Sequence, residues 1–153
     1  MDPAQRFEKT LRSSSPQPWG REYKGMTVEQ VRMLAHEEGV RLDQGRIEDL
    51  YRRMGDQGAE DVVCRALEEI AVRMSYANKL HRRGDLAEMR KCLRSLSKIA
   101  EQVGMIALSR VARDVCTCID QGDAVAIAAT LTRMARTGDR SLTAIWDLQE
   151  FMM

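Results

Sequence analysis

The feature that most constrains the fold is a glycine followed by an aspartate, which recurs between stretches of helical periodicity. A glycine readily adopts the left-handed conformation that ends a helix, and an aspartate accepts hydrogen bonds from the first free amides of the next helix. The pairs are Gly55-Asp56, Gly84-Asp85 and Gly122-Asp123. Each pair predicts a helix end followed at once by a helix start, and Gly104 predicts one more break without an aspartate.

Four stretches between these breaks carry apolar residues three and four positions apart, which is the spacing of one helix face. The first contains Val63, Leu67, Ile70, Met74, Ala77 and Leu80. The second contains Leu86, Met89, Leu93, Leu96, Ala100 and Val103. The third contains Leu108, Val111, Ala112, Val115 and Ile119. The fourth contains Val125, Ala128, Leu131, Met134 or Ala135, Leu142, Ile145 and Leu148, with a bend expected near Gly138-Asp139. Because short links join antiparallel neighbours, we expect an all-α, antiparallel up-and-down four-helix bundle over 55–153.

The chain before the bundle divides into two parts. Residues 1–25 lack sustained periodicity and include a serine- and proline-rich stretch, which predicts a tail. Two helical patterns follow, one from Thr27 to Gly39 and a shorter one over about 44–54. We therefore expect a small helical hairpin over 26–54.

A helix-turn-helix is an alternative for residues 27–54, because Ala35 and Gly39 have the spacing often seen in that motif. This segment is slightly acidic, however, and a DNA reader needs positive charge against the phosphates. The whole chain is balanced as well, with 24 Lys and Arg against 23 Asp and Glu. We expect no nucleic-acid partner and favour a hairpin that packs on the bundle.

The composition and motifs exclude several classes of function. No phosphate-binding loop, dinucleotide fingerprint or hydrolase elbow occurs, so we expect no enzyme and no cofactor. His36 and His81 lie far apart, and the cysteines form no CxxC pair, so we expect no metal site. No signal peptide and no long apolar run is visible, which predicts a cytoplasmic protein with reduced thiols and no membrane partner. The cysteines are Cys64, Cys92, Cys116 and Cys118.

One helix face offers candidate binding residues. If the second apolar stripe faces the core, the opposite side of that helix carries polar residues three and four apart. They are Arg90, Arg94, Ser97, Lys98 and Glu101. Three of them are cations at successive spacings of four, and like charges at this spacing slightly destabilise a helix. Two interpretations remain open, a solvated face and a positive patch that meets an acidic partner surface.

The stretch DLAEMRKCLRSLSKIAEQVGMIALSRVARDVCTCIDQGD, residues 85–123, resembles a histidine-containing phosphotransfer domain, the four-helix module of bacterial phosphorelays. Asp85 matches the turn that opens the family's second helix, and Leu96 matches the leucine of its His-x-Leu-Lys-Gly motif. Ala100 and Gly104 match the small residue and the closing glycine of that helix. Positions of the next helix also match: Leu108, Ala112, Ile119, Gly122 and Asp123. The resemblance covers about 56–150.

The chain departs from the family's motif at three positions. Arg94 stands where the family has its phosphoacceptor histidine, Ser97 where it has lysine and Lys98 where it has glycine. Because arginine stays protonated at physiological pH, Arg94 cannot be the nucleophile. The resemblance therefore implies a non-catalytic module that binds a receiver domain or a histidine kinase through its basic face. Two alternatives are a structural or assembly bundle, possibly homodimeric, and an active phosphotransfer protein that uses a displaced histidine, His81.

Overall fold

The computed structural model describes residues 39–152, which lie in the second of two compact units of the chain. This part is an all-α bundle, as predicted, and contains no strand. Its helices are α1 (Gln44–Arg83), α2 (Leu86–Gln102), α3 (Ile106–Gln121) and α4 (Ala124–Met152). None of the helices within these residues is both long enough and apolar enough to cross a membrane. The predicted tail and the first helix of the predicted hairpin lie outside the described residues.

Two of the glycine–aspartate pairs end one helix and begin the next, which confirms the prediction. Gly84 and Gly122 have φ angles of 73° and 69°, in the left-handed region that favours glycine. The carboxylates of Asp85 and Asp123 each accept a hydrogen bond from the amide three residues later, at 3.2 and 3.0 Å. The chain therefore reverses direction within two residues at both places.

The third pair also interrupts the helix, at a kink that separates two helical segments of α1. Gly55 has φ 74° and ψ 169°, and helix continues on both sides of it within α1. The predicted short helix is the first segment of α1, residues 44–54. This segment packs on the turn between α2 and α3, because the Asp43 amide donates to the Gly104 carbonyl oxygen at 2.8 Å and Ile47 is buried.

The core contains the predicted faces of the first three stripes. Every residue of the α1 stripe is buried, and in α2 and α3 only the end residues Leu86 and Ile119 are partly exposed. Because a buried aliphatic side chain contributes about 1.5–3 kcal/mol relative to an exposed one, these stripes dominate the stability of the bundle. The buried core residues of α2, α3 and the turn between them are Met89, Cys92, Leu93, Leu96, Ala100, Val103, Met105, Leu108, Val111, Ala112, Val115 and Cys116.

The predicted stripe of α4 is wrong in its first two turns. Val125 is 81% exposed and Ala128 is exposed, while Ile127 is buried in their place. Both Val125 with Ala128 and Ile127 alone have the spacing to share a helix face with Leu131. The sequence alone does not show which of the two faces is buried. From Leu131 and Met134 onward the prediction is confirmed, since Ile145 is also buried.

No break in helix α4 accompanies Gly138-Asp139, near which the sequence predicts a bend. Helix α4 runs without interruption through this position, and Gly138 is buried against α1. A Cβ atom placed on Gly138 would lie within 2.5 Å of Met74 Sδ. The glycine therefore permits close contact between α1 and α4.

Consecutive helices make the closest contacts, and α1 and α4 pack together over a smaller area. Between α2 and α3, Arg90 pairs with Asp120, and Ser97 pairs with Ser109. The residue numbers run in opposite order along the two helices, as in antiparallel neighbours. The short connections after Gly84, Gly104 and Gly122 explain this order.

Candidate partner-binding face

Arg94 and Lys98 lie one turn apart on the exposed side of α2. The buried residues Leu93 and Leu96 fix the rotation of the helix, so both cations point away from the core. Neither side chain makes a hydrogen bond or an ion pair with any residue between 39 and 152. We call these two residues the Arg94 face. Its charge is available to a partner.

Arg90 is held by α3. Its Nε and Nη2 atoms donate to the two carboxylate oxygens of Asp120 at 2.7 and 3.0 Å. This hydrogen bond, followed by the positive charges of Arg90 and Arg94, holds the pKa of Asp120 below its ordinary value despite some desolvation. The charge of Arg90 is therefore largely offset, and Arg94 lies close enough to α3 to act on Asp120.

The prediction that Ser97 lies on the exposed side is wrong. Ser97 is only 4% exposed. Its hydroxyl lies 3.0 Å from Ser109 Oγ and donates to the Ser109 carbonyl oxygen at 3.2 Å, while Arg113 Nε donates to it at 3.1 Å. The physical reason is the small side chain, which lets α2 and α3 approach closely while Arg113 covers the hydroxyl from the solvent side.

Glu101 takes part in an ion-pair network rather than in a partner surface of its own. Its carboxylate accepts a hydrogen bond from Arg113 Nη2 at 2.7 Å and lies 3.7 Å from Arg46 Nη2. Arg46 also donates to the Glu101 carbonyl oxygen at 2.8 Å. Glu101 thus joins α2 to both α3 and the first segment of α1.

Sequence reasoning missed the partners Arg113, Asp120 and Arg46, because they come from other helices. A signal existed on α3: Ser109, Arg113, Cys116 and Asp120 are four, three and four positions apart, which places them on one helix face. Their side chains form the α3 side of the interface between α2 and α3. We call such an interface between two packed helices a seam.

The thiols give this region no nucleophile. All four cysteines are free, and Cys92 and Cys116 are buried. Burial raises the pKa of both thiols, and in Cys116 the charges of Arg90 and Arg94 oppose this only in part. Both thiols are therefore protonated at neutral pH, and we assign them to core packing.

The two cationic groups of the Arg94 face are suited to binding an anionic group. Guanidinium and ammonium groups donate hydrogen bonds to carboxylate or phosphoryl oxygens. His81 lies in the last turn of α1, where its carbonyl oxygen accepts from the Gly84 amide. Between residues 39 and 152, no three or more His, Cys, Asp or Glu side chains are grouped to hold a metal ion.

No family model matches the chain, and neither a curated protein nor a solved structure matches it. The resemblance to phosphotransfer domains stays a prediction that depends on the residues of 85–123.

Proposed function

We propose that the chain is a non-catalytic phosphotransfer-like module of the bacterial cytoplasm. In this proposal the bundle has the up-and-down arrangement of phosphotransfer domains, preceded by a helical hairpin over 26–54. It binds a two-component signalling partner, a receiver domain or a histidine kinase, through the Arg94 face. The observation that carries the proposal is the position of Arg94, exposed in the middle of α2 with no partner among residues 39–152.

The surroundings of Arg94 support a docking role. The neighbouring arginines Arg90 and Arg113 are each held by a carboxylate at 2.7 Å, from Asp120 and Glu101 respectively. These pairs rigidify the seam on either side of Arg94 and leave its guanidinium for an incoming group. A bidentate carboxylate or phosphoryl oxygen pair matches its planar geometry.

The resemblance supports the identity of the partner. In phosphotransfer domains the position of Arg94 meets the acidic phosphoacceptor pocket of a receiver domain. Arginine cannot carry a phosphoryl group as histidine does, since it has no unprotonated nitrogen at physiological pH. Lys98 adds a second cation where the family has glycine. The proposed module therefore occupies a partner surface electrostatically and transfers nothing.

The test is binding of the full chain to every receiver domain and every histidine-kinase dimerisation domain of the cell that encodes it. We expect at least one partner with measurable affinity, weakened about tenfold or more by Arg94→Glu, because charge reversal adds repulsion to the lost pair. Arg136→Glu is the matched control, since Arg136 is also exposed in mid-helix and makes no ion pair within residues 39–152. Equal affinities for the two variants, or no binding to any of these domains, would overturn the proposal.

An assembly role is the second candidate, and one observation favours it. Val72 and Tyr76 lie one turn apart on α1, and both are exposed apolar side chains. Such side chains are enriched in protein contacts. Sedimentation equilibrium of the full chain distinguishes the two functions: a tight dimer that Val72→Ser dissociates supports assembly, and a monomer throughout the concentration range excludes it.

A further inference from the structure

A groove of about 230 Å³ lies between the first half of α1 and the last turns of α4. Its lining residues are Glu60, Cys64, Trp146, Gln149 and Glu150. Trp146 lies at this groove and is 52% exposed. The exposed half of this indole ring lies beside a mostly apolar depression. Burying it against a partner side chain is favourable, so the groove can accept one.

The two helix segments that form the groove are acidic. Residues 60–65 and 146–151 together carry four carboxylates against one guanidinium; these are Glu60, Asp61, Asp147 and Glu150, and Arg65. Glu60 and Glu150 line the groove from opposite helices, and neither makes a hydrogen bond or an ion pair within residues 39–152. Some acidic residues elsewhere on α1 and α2 are paired, as Glu69 is with Arg73 and Glu88 with Lys91.

The size of the groove limits what fills it. Small-molecule sites usually enclose about 300–1,000 Å³. A volume below that range suits one large apolar side chain. A helix that lies across two helices can supply such a side chain together with charged residues one turn to either side.

We propose that this groove binds a basic amphipathic helix of another protein. One large apolar side chain of that helix fills the groove beside Trp146, and lysine or arginine side chains pair with Glu60 and Glu150. This surface lies on a different helix pair from the Arg94 face and has the opposite charge. The proposal therefore does not depend on a signalling partner at Arg94.

The probe is a synthetic amphipathic peptide of about 18 residues, or five helical turns, with leucines on one face and lysines on the other. A second peptide of the same design has glutamate in place of lysine. We expect calorimetry with the full chain to show saturable binding of the lysine peptide only, and weaker binding at high salt. Absence of binding, or equal binding of the two peptides, overturns the proposal.

Matched variants locate the binding site. We expect Trp146→Ala to weaken binding about tenfold, as loss of a central aromatic anchor does. Phe151→Ala is the control, because Phe151 is 89% exposed on the same helix but does not line the groove. The double variant Glu60→Gln, Glu150→Gln should weaken binding about threefold, and Glu68→Gln should have no effect. Equal losses in a variant and its control overturn the proposal.

Thiol modification gives a second readout at the same place. Cys64 lines the groove, and Cys118 is a partly exposed thiol on α3 beside Thr130. We expect the bound peptide to slow alkylation of Cys64 and to leave Cys118 unaffected. If instead the chain dimerises and Trp146→Ala dissociates the dimer, a second copy occupies the groove and the proposal is wrong.

Discussion

The seam between α2 and α3 and the seam between α1 and α4 leave different groups available to partners. At the first seam, Arg90 and Arg113 are paired with carboxylates and Ser97 is buried under hydrogen bonds. At the second, Gly138 packs against Met74, and farther along the seam opens into the groove at Trp146. At the first seam the polar groups satisfy one another, and Arg94 and Lys98 remain without an ion pair among residues 39–152. The second seam presents an aromatic ring and two carboxylates, Glu60 and Glu150, that are unpaired within the same residues.

The prediction with the largest expected effect compares the contributions of the two seams to the free energy of unfolding. Leu93→Ala removes a fully buried side chain between the helices and should cost about 2–5 kcal/mol. Trp146→Ala should cost less, about 1–2 kcal/mol, because half of its surface is already in water. Urea unfolding monitored by circular dichroism measures both. Equal losses would contradict the view that the groove is an unfilled surface.

A smaller effect is expected at the end of the α2–α3 seam. Gly104 has φ 77°, and a Cβ there would lie 2.7 Å from the Asp43 carbonyl oxygen. Gly122→Ala should lower the free energy of unfolding by about 1–2 kcal/mol, the cost of holding an alanine in the left-handed conformation, because nothing lies near the added Cβ. Gly104→Ala should cost about 1–3 kcal/mol more, since the clash is with backbone. Similar unfolding midpoints for the two variants would show that residues 43–54 do not pack on this turn.

The next prediction concerns the buried serine. Ser97→Ala leaves Arg113 Nε and the Ser109 hydroxyl without their shared partner and should cost about 1–2 kcal/mol. Ser95→Ala is the control on the same helix and should change stability by less than about 0.5 kcal/mol. If the hydroxyl contributes nothing, the two thermal unfolding curves will coincide.

The smallest effect is electrostatic and depends on pH. The hydrogen bond from Arg90 lowers the pKa of Asp120, so this carboxylate stabilises the fold above its unfolded-state pKa. That contribution is lost as pH falls through the lower folded-state pKa. We expect Arg90→Gln to return the pKa of Asp120 towards its ordinary value in a carboxyl-carbon NMR titration.

A matching stability measurement gives the same sign. Asp120→Asn should be slightly less stable than the unmodified chain at neutral pH and equally stable below both pKa values. High salt should reduce the difference, because both side chains of the pair are substantially exposed. A difference that grows as the pH falls would contradict the assignment.

Much of the fold followed from local signals. The stripe of α1 and the caps at Gly84 and Gly122 were predicted because periodicity and capping depend on neighbouring residues only. The buried face of the first turns of α4 and the close packing at Gly138 were not, because both depend on which helix packs opposite. Val125 and Met74 are far apart in sequence from the neighbours that decide their burial.

The candidate site was predicted less completely. The exposure of Arg94 and Lys98 followed from the phase of α2, which the core stripe defines. The burial of Ser97 did not follow, because it requires Arg113 from the next helix. A helical-wheel projection of α2 alone predicts that a small polar residue at the edge of the core is exposed. The groove at Trp146 joins residues more than eighty positions apart in the chain, on two different helices, and had no local signal.

The most direct test of the central claim is an amide chemical-shift map of the labelled full chain with the receiver or kinase domain that binds it most tightly. We predict that the largest changes lie at Arg94 and Lys98, and that Arg94→Glu abolishes them. Changes centred on Trp146 with the Arg94 face unaffected, or no saturable change with any of these domains, would contradict the claim.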